Sequence, residues 1–436
     1  MKTTLHAKLL QALAPWRNAP AWHVAFSGGL DSTVLLHLLA STEHLPPLNA
    51  IHVHHGLQAT ADAWPSHCQS ICDRLGVPLR VMRVQVQPGA SLERAARDAR
   101  YQAFAEGVGA GEVLLTGQHR DDQAETLLFR LLRGAGVRGL AAMPLHRDLA
   151  AGHLVRPLLA VSRAELQAYA HEHQLTWIDD PSNADPRFSR NYLRHRVFPV
   201  LTERWPQAVS SLARTAEHLS EAQGLLDELA QMDLHAADQP SSFPWLPLPS
   251  LALAPLRELS DARQRNVMRY WLAPLTRLPD SDHWASWYSL RDAKRDAQPL
   301  WRLADGELHR CAERIWWVPA AWSEFSDTAL SWPHPQNPLQ LPGNGQLYFS
   351  ANAPEGPLSI GYRQGGEVME VSGRGRRDLK RLLNESAVPG FIRGRLPLLY
   401  QGSRLLAVAN LARASTGQGD DWQLHWAPPT CDQGLS

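Results

Sequence analysis

The chain has 436 residues, too many for one hydrophobic core and enough for about three domains. Its 43 basic residues balance 43 acidic ones, so a polyanionic partner must be met by a local patch rather than by overall charge. Four scattered cysteines, Cys68, Cys72, Cys311 and Cys431, exclude a disulfide framework and suit a reducing compartment, with Cys68 and Cys72 read as small buried thiols.

The first segment, MKTTLHAKLLQALAPW, lacks a signal-type apolar block. No run of about eighteen apolar residues follows, so the expectation is a soluble cytoplasmic protein with no membrane association. The first 180 or so residues then alternate strand and helix. WHVAFS (22–27) precedes a helix from about Ser32, and LNAIHVHH (48–55) precedes one over 62–75. VPLRVMRVQV (77–86) precedes 91–107, EVLLTGQ (112–118) precedes 121–133, and HLVRPL (153–158) precedes 162–173. That alternation predicts an α/β fold with a doubly wound parallel sheet, whose ligands collect at the carboxyl ends of the strands.

Three polar stretches fall at those ends. SGGLDS (27–32) offers two glycines for close approach to a phosphate, two hydroxyls and the start of a helix. It has no P-loop lysine, and Asp31 beside a phosphate makes sense if a metal ion bridges the two. The bland alternative is a strand-to-helix turn with Asp31 as N-cap. TGQHRDDQAET (116–126) would put Asp122, Glu125 and Thr126 on one face of a helix, a carboxylate cluster suited to a metal or an amine. HVHHG (52–56) carries metal-like histidines without cysteine or carboxylate partners nearby, and loop histidines near a nucleotide are favoured over a zinc site. Arg94, Arg97 and Arg100 recur at three-residue steps, as on a solvated helix face. Four arginines from Arg187 to Arg196 suggest a phosphate track.

SGGLDS resembles the pyrophosphate loop (PP-loop) of the N-type ATP pyrophosphatases. Together with HVHHG, TGQHRDDQAET, RPLL (156–159), IDDPSN (178–183) and RNYLRHRVFPVL (190–201), the order and spacing resemble the tRNA(Ile)-lysidine synthase family over essentially the whole chain. Two departures are Gln118, where the family often has histidine, and Asp179, where glutamate is usual. The resemblance implies that ATP adenylates position 2 of the wobble cytidine in a CAU-anticodon tRNA(Ile), and that free L-lysine displaces AMP. It implies a cradle of Ser27, Gly28, Gly29, Leu30 and Ser32, with Mg²⁺ on Asp31. Asp122 and Glu125 would bind the lysine ammonium groups, while Arg100 and Arg190 or Arg194 would face the phosphate and the base. The implied domains are 1–215 for ATP and catalysis, 216–325 as a mostly helical substrate domain, and 340–430 as a basic α+β domain gripping the tRNA.

The remaining sequence fits that division. Proline-rich breaks at 239–255 and 332–342 flank an amphipathic helix over 258–272 and a hairpin over 306–319, whose Trp316 and Trp317 are read as core. SGRGRRDLKRLLNESAVPGFIRGRLPLLY (372–400) gathers Arg374, Arg376, Arg377, Lys380, Arg381, Arg393 and Arg395 against Asp378 and Glu385, the densest basic patch in the chain. A tRNA sulfur transferase on the same loop would need paired cysteines, and an amidotransferase would need an ammonia-producing domain. A nucleotide-dependent RNA-binding protein would bind tRNA without releasing pyrophosphate. The sequence leaves a homodimer open.

Overall fold

The computed structural model describes residues 4–56, 62–86, 92–278, 283–294, 297, 299–371, 375–413 and 422–430. The chain divides into two compact units, 1–224 and 225–436.

The first unit opens with helix α1 (Leu5–Leu13), which the sequence reading does not assign, followed by β1 (Trp22–Ala25), α2 (Leu30–Ala40), β2 (Leu48–His54), α3 (Trp64–Leu75) and β3 (Leu79–Arg83). Next come α4 (Leu92–Gly107), β4 (Val113–Leu115), α5 (Arg120–Leu131), α6 (Val137–Leu140), β5 (His146–Leu149), β6 (Gly152–Val155) and α7 (Arg163–Glu172). The strands form one sheet in the order β3-β2-β1-β4-β6-β5. All pairings are parallel except the unpredicted edge strand β5, which turns back on β6.

Alternation along the strands shows why both faces are covered. Val24, Ala50, Val113 and Leu115 enter one core with Leu35 and Leu36 of α2, Cys68 and Cys72 of α3, and Leu166 of α7. Their neighbours Ile51, Leu114 and Leu154 enter the opposite core with Ala103 and Phe104 of α4. From β1 the chain winds outward through β2 to β3, then returns to place β4 on the other side of β1, with Trp22 opposite Val113 and Val24 opposite Leu115. The loops after β1 and β4 therefore diverge from neighbouring strand ends, leaving a crevice between them. After α7 the chain forms α8 (Ser189–Tyr192), a π-helical turn over Leu193–Val197, and α9 (Phe198–Arg204). The long helix α10 (Ala208–Ala237) begins in this unit and ends in the next.

In the second unit, helices Asp261–Leu272 and Trp284–Asp292 pack on an antiparallel four-stranded sheet containing the hairpin Gly306–Cys311/Arg314–Pro319. Trp316 and Trp317 are both core residues, one on each face of that hairpin. The C-terminal part is β-rich, with a seven-stranded and a three-stranded sheet, the helix Leu379–Glu385 and a 3-10 turn over Gly390–Ile392. Among the described residues no helix is long and apolar enough to cross a membrane.

Candidate active site

The crevice between β1 and β4 opens into a cavity of about 590 Å³. Ser27 follows β1, and its hydroxyl lies 3.0 Å from that of Ser32. Gly28 has φ +81°, and a Cβ there would meet Cys68 Sγ and Ile178 Cδ1 at 3.0 Å. Only glycine satisfies both the left-handed backbone and the tight packing. Helix α2 begins at Leu30 rather than Ser32, with Gly29 as an N-cap that has no side-chain acceptor. Its first N–H groups therefore face the cavity without a side-chain cap, the arrangement in which a helix start takes an anion. The Leu30 side chain joins the core, so its contribution to the cradle is main chain. Asp31 lies in the first helical turn and is not the cap.

Across the crevice, Gly117 lets the loop after β4 lie against the cradle, while His119 caps α5 in a capping box with Asp122. His119 is buried, and its Nδ1 accepts from the Asp122 N–H at 3.4 Å, which leaves Nε2 as the other ring nitrogen. That nitrogen lies 3.4 Å from Asp122 Oδ2 and 3.7 Å from Asp31 Oδ2, so one imidazole stands between the two carboxylates. Burial pushes the Asp31 carboxyl above its ordinary value, against the pull of His119, Arg163 and Arg194. Glu125, also buried, is raised for the same first reason.

Asp122 and Glu125 do share one face, as the spacing predicts, and Arg194 from the π-helical turn binds both. Its Nε donates to Glu125 Oε1 at 2.6 Å, and its Nη2 donates to Glu125 Oε2 and Asp122 Oδ1, each at 2.9 Å. Burial opposes the guanidinium's charge, yet Glu125, Asp122 and Asp31 outweigh it and raise its pKa. Arg100 and Arg194 line the cavity together with Asp31 and Asp122. Arg190 is not among the lining residues and lies beside Arg130, whose pKa burial and Arg190 both depress. His52, His54 and His55 form part of the wall, and burial together with Arg100 depresses His55 to about 4. The IDDPSN segment closes over the cradle, with the Ile178 N–H donating to the Gly28 carbonyl at 2.9 Å.

Asp31 Oδ1 is buried with no hydrogen-bond partner. Among the described residues no cluster of three or more histidines, cysteines or acids could hold a metal. A cation here would have one protein carboxylate and take its other ligands from phosphate and water, which fits Mg²⁺. Sequence reasoning missed His119 and Arg163, although His119 lies inside a motif already singled out. Arg163, at the first turn of α7, has no motif around it and is identified only by facing Asp31 across the cavity.

In the second unit, Arg376 and Arg377 lie on strand Gly375–Asp378, while Lys380 and Arg381 begin the helix that follows. Arg381 pairs with Glu385 at 2.9 Å, and Arg393 donates to the Val388 carbonyl and to Asn384. Arg374 lies outside the described residues. Arg395 departs from the expected RNA-facing patch: it is 3% exposed, its Nε donates to Asn344 Oδ1 at 3.0 Å, and its other nitrogens donate to the Trp322 and Gly343 carbonyls. It is an internal tie of the C-terminal fold, because three acceptors from other segments converge where the chain buries it.

The PP-loop domain family matches residues 1–201, the TilS substrate binding domain 251–316, and the TilS substrate C-terminal domain 358–426. The tRNA(Ile)-lysidine synthase of Pseudomonas fluorescens (strain Pf0-1) is 63% identical over 434 residues, 99% of this chain and 98% of that protein. The enzyme of the same name from Pseudomonas syringae pv. tomato is 64% identical over 435 residues, again 99% and 98% of the two chains. Among solved structures, the U34-tRNA thiolase NcsA from Methanococcus maripaludis aligns with half of this chain and 78% of its own, at 20% identity and a TM-score of 0.41. The cradle, the acid pair and these full-length relatives agree: the chain belongs to the tRNA(Ile)-lysidine synthase family.

Proposed function

We propose that this protein is an ATP-dependent ligase that converts the wobble cytidine of a CAU-anticodon tRNA(Ile) to lysidine, working in the cytoplasm. The observation that carries this reading is the convergence in one cavity of an uncapped helix start, an orphaned Asp31 oxygen and Asp122, to which Glu125 is tied through Arg194. An adenylating enzyme that then accepts an amine needs these three things side by side. Ser27, Ser32 and the main chain of Gly28, Gly29 and Leu30 hold the pyrophosphate, so that charge released at the α–β bond meets fixed donors. Asp31 would hold Mg²⁺, which when bound neutralises phosphate charge. The carbonyl oxygen at cytidine position 2 attacks the α-phosphate, pyrophosphate leaves, and the lysine amine then displaces AMP from the activated ring. Asp122 and Glu125 seat the lysine ammonium, and Arg100 faces the phosphate.

The rest of the chain supplies RNA contacts in this reading: 216–325 as substrate domain and 340–430, through Arg376, Arg377, Lys380 and Arg381, as a grip on the tRNA body. Sulfur transfer is disfavoured by Cys68 and Cys72, both buried and free, whose thiols burial pushes up to about 12 and about 11. The test is pyrophosphate release from Mg·ATP with a CAU-anticodon tRNA(Ile) transcript, with and without L-lysine, and mass analysis of the tRNA. A lysine-sized gain on the wobble cytidine is expected. Release with modification by a different amine would overturn the amine assignment, and no release with any tRNA would overturn the ligase reading.

A further inference from the structure

Every oxygen of the proposed ammonium seat already holds a donor. Both oxygens of Glu125 and Oδ1 of Asp122 accept from Arg194, and Asp122 Oδ2 accepts from the His119 main-chain N–H at 3.1 Å. Glu125 is 4% exposed, so water does not offer it further partners. An incoming ammonium would meet carboxylate oxygens already occupied by donors and a guanidinium of its own sign beside them. The seat is therefore filled by the protein's own cation, held in the bidentate geometry that makes such pairs strong.

Arg194 has somewhere else to go. It lines the same cavity as the phosphate cradle and lies close enough to Asp31 for the two charges to shift each other's pKa. A guanidinium fork matches phosphate as well as carboxylate. It also projects from a π-helical turn, a rare element that concentrates at functional sites. We infer that Arg194 exchanges partners: a nucleotide phosphate in the cradle draws the guanidinium off Asp122 and Glu125 and so opens the seat to lysine. This rests on the reading of the cavity as the site of both adenylation and lysine binding. It makes Arg194 a positioning residue whose partner sets the order of events, with nucleotide first and amine second, so that no amine waits in the site before there is an activated ring to attack.

The experiment is equilibrium dialysis of radiolabelled L-lysine against the full chain, alone and saturated with α,β-methylene ATP and Mg²⁺. The nucleotide should tighten lysine binding by about tenfold or more, the range of ordinary coupling between sites. Arg194→Gln should bind lysine without nucleotide as tightly as the wild type does with it, and its ratio should fall to about one. Arg194→Lys, which keeps a cation in the seat, should retain part of the enhancement. A wild-type ratio of one, or Arg194→Gln binding lysine no better than the unliganded wild type, would overturn the exchange. If Arg194→Gln does not fold, as judged by its thermal melt, the wild-type and Arg194→Lys ratios decide. Formation of lysidine by a wild type whose lysine affinity ignores nucleotide would reject this inference and leave the proposed function standing. Failure to join lysine at all would reject both.

Discussion

Gly117 rests against the backbone of Asp31: a Cβ at position 117 would come within 3.1 Å of the Asp31 carbonyl carbon and 3.1 Å of the Ser32 nitrogen. The loop after β4 thus meets the first turn of α2 main chain to main chain, and a single methyl has no flexible side chain to displace. Gly117→Ala should push the start of α2 by a few tenths of an ångström and weaken ATP binding about tenfold, with tRNA affinity and melting temperature little changed. Nucleotide titration beside a thermal melt checks this. Unchanged ATP affinity would mean that the cradle tolerates the shift.

Asp31→Ala should remove the carboxylate with the orphaned oxygen and leave the cradle's hydroxyls in place. Pyrophosphate release should fall on the order of 10²- to 10³-fold, the usual cost of losing one electrostatic partner of a developing charge. Filter binding of tRNA should be unaltered. Parallel losses in both assays would point to a folding defect.

The basic C-terminal segment divides into residues that should act on RNA and one that should act on the fold. Replacing Arg376, Arg377 and Lys380 together by alanine should weaken tRNA binding and flatten its dependence on log salt by roughly 0.7–0.9 for each phosphate no longer neutralised. Arg395→Ala should instead strand the buried Asn344 and two carbonyls, costing on the order of 3 kcal/mol, with the salt slope of the surviving folded protein unchanged. Denaturant melts and salt-dependent binding separate the two. A triple variant that binds tRNA normally at moderate salt would remove this patch from the interface.

Glu165 gives a pH prediction with a definite sign. Burial opposes its charge, but the Lys8 ammonium at 2.5 Å and the Ser162 N–H and hydroxyl hold its pKa down at about 2. Its folded value is depressed, so the stabilisation is present above the ordinary carboxylate range of about 4.5 and is lost as pH falls from there toward 2. The group is partly exposed, so solvent screening keeps the effect modest. Glu165→Gln should lower the melting temperature at pH 7, and the gap should shrink steadily below pH 4.5. A gap independent of pH would assign the loss to the capping geometry alone.

The sheet and its site were legible because the chemistry sits where apolar runs stop. Val24, Val34, Leu114 and Leu127 mark strands and helices by period, and the glycines and acids of the site fall in the gaps and first helical turns between those runs. Less visible was anything decided by a distant partner. Arg194 and Arg395 each stand in an arginine-rich run that looks like a phosphate track. One finds Glu125, 69 positions away, and the other finds Asn344, 51 positions away. No local pattern separates these from Arg376, which remains at the surface. The edge strand β5 escaped for a related reason: HRDL is polar and exposed at three of its four positions, and only its pairing with β6 makes it a strand.

The return of β4 to the side of β1 has a consequence in time as well as space. Residues 22–25 and 113–115 are neighbours in the sheet, yet the whole of β2 and β3 with their helices must be made between them. Parallel pairing across such a separation is slow to form, because loop closure precedes any stabilisation by pairing. During synthesis the cradle at 27–32 is therefore a half-site until β4 docks, and Glu125 and Asp122 stand without their guanidinium until residue 194 has emerged. A nascent chain ending near residue 110 should not retain nucleotide on a column. The cavity that commits ATP to chemistry becomes competent as a late event in the folding of its own unit.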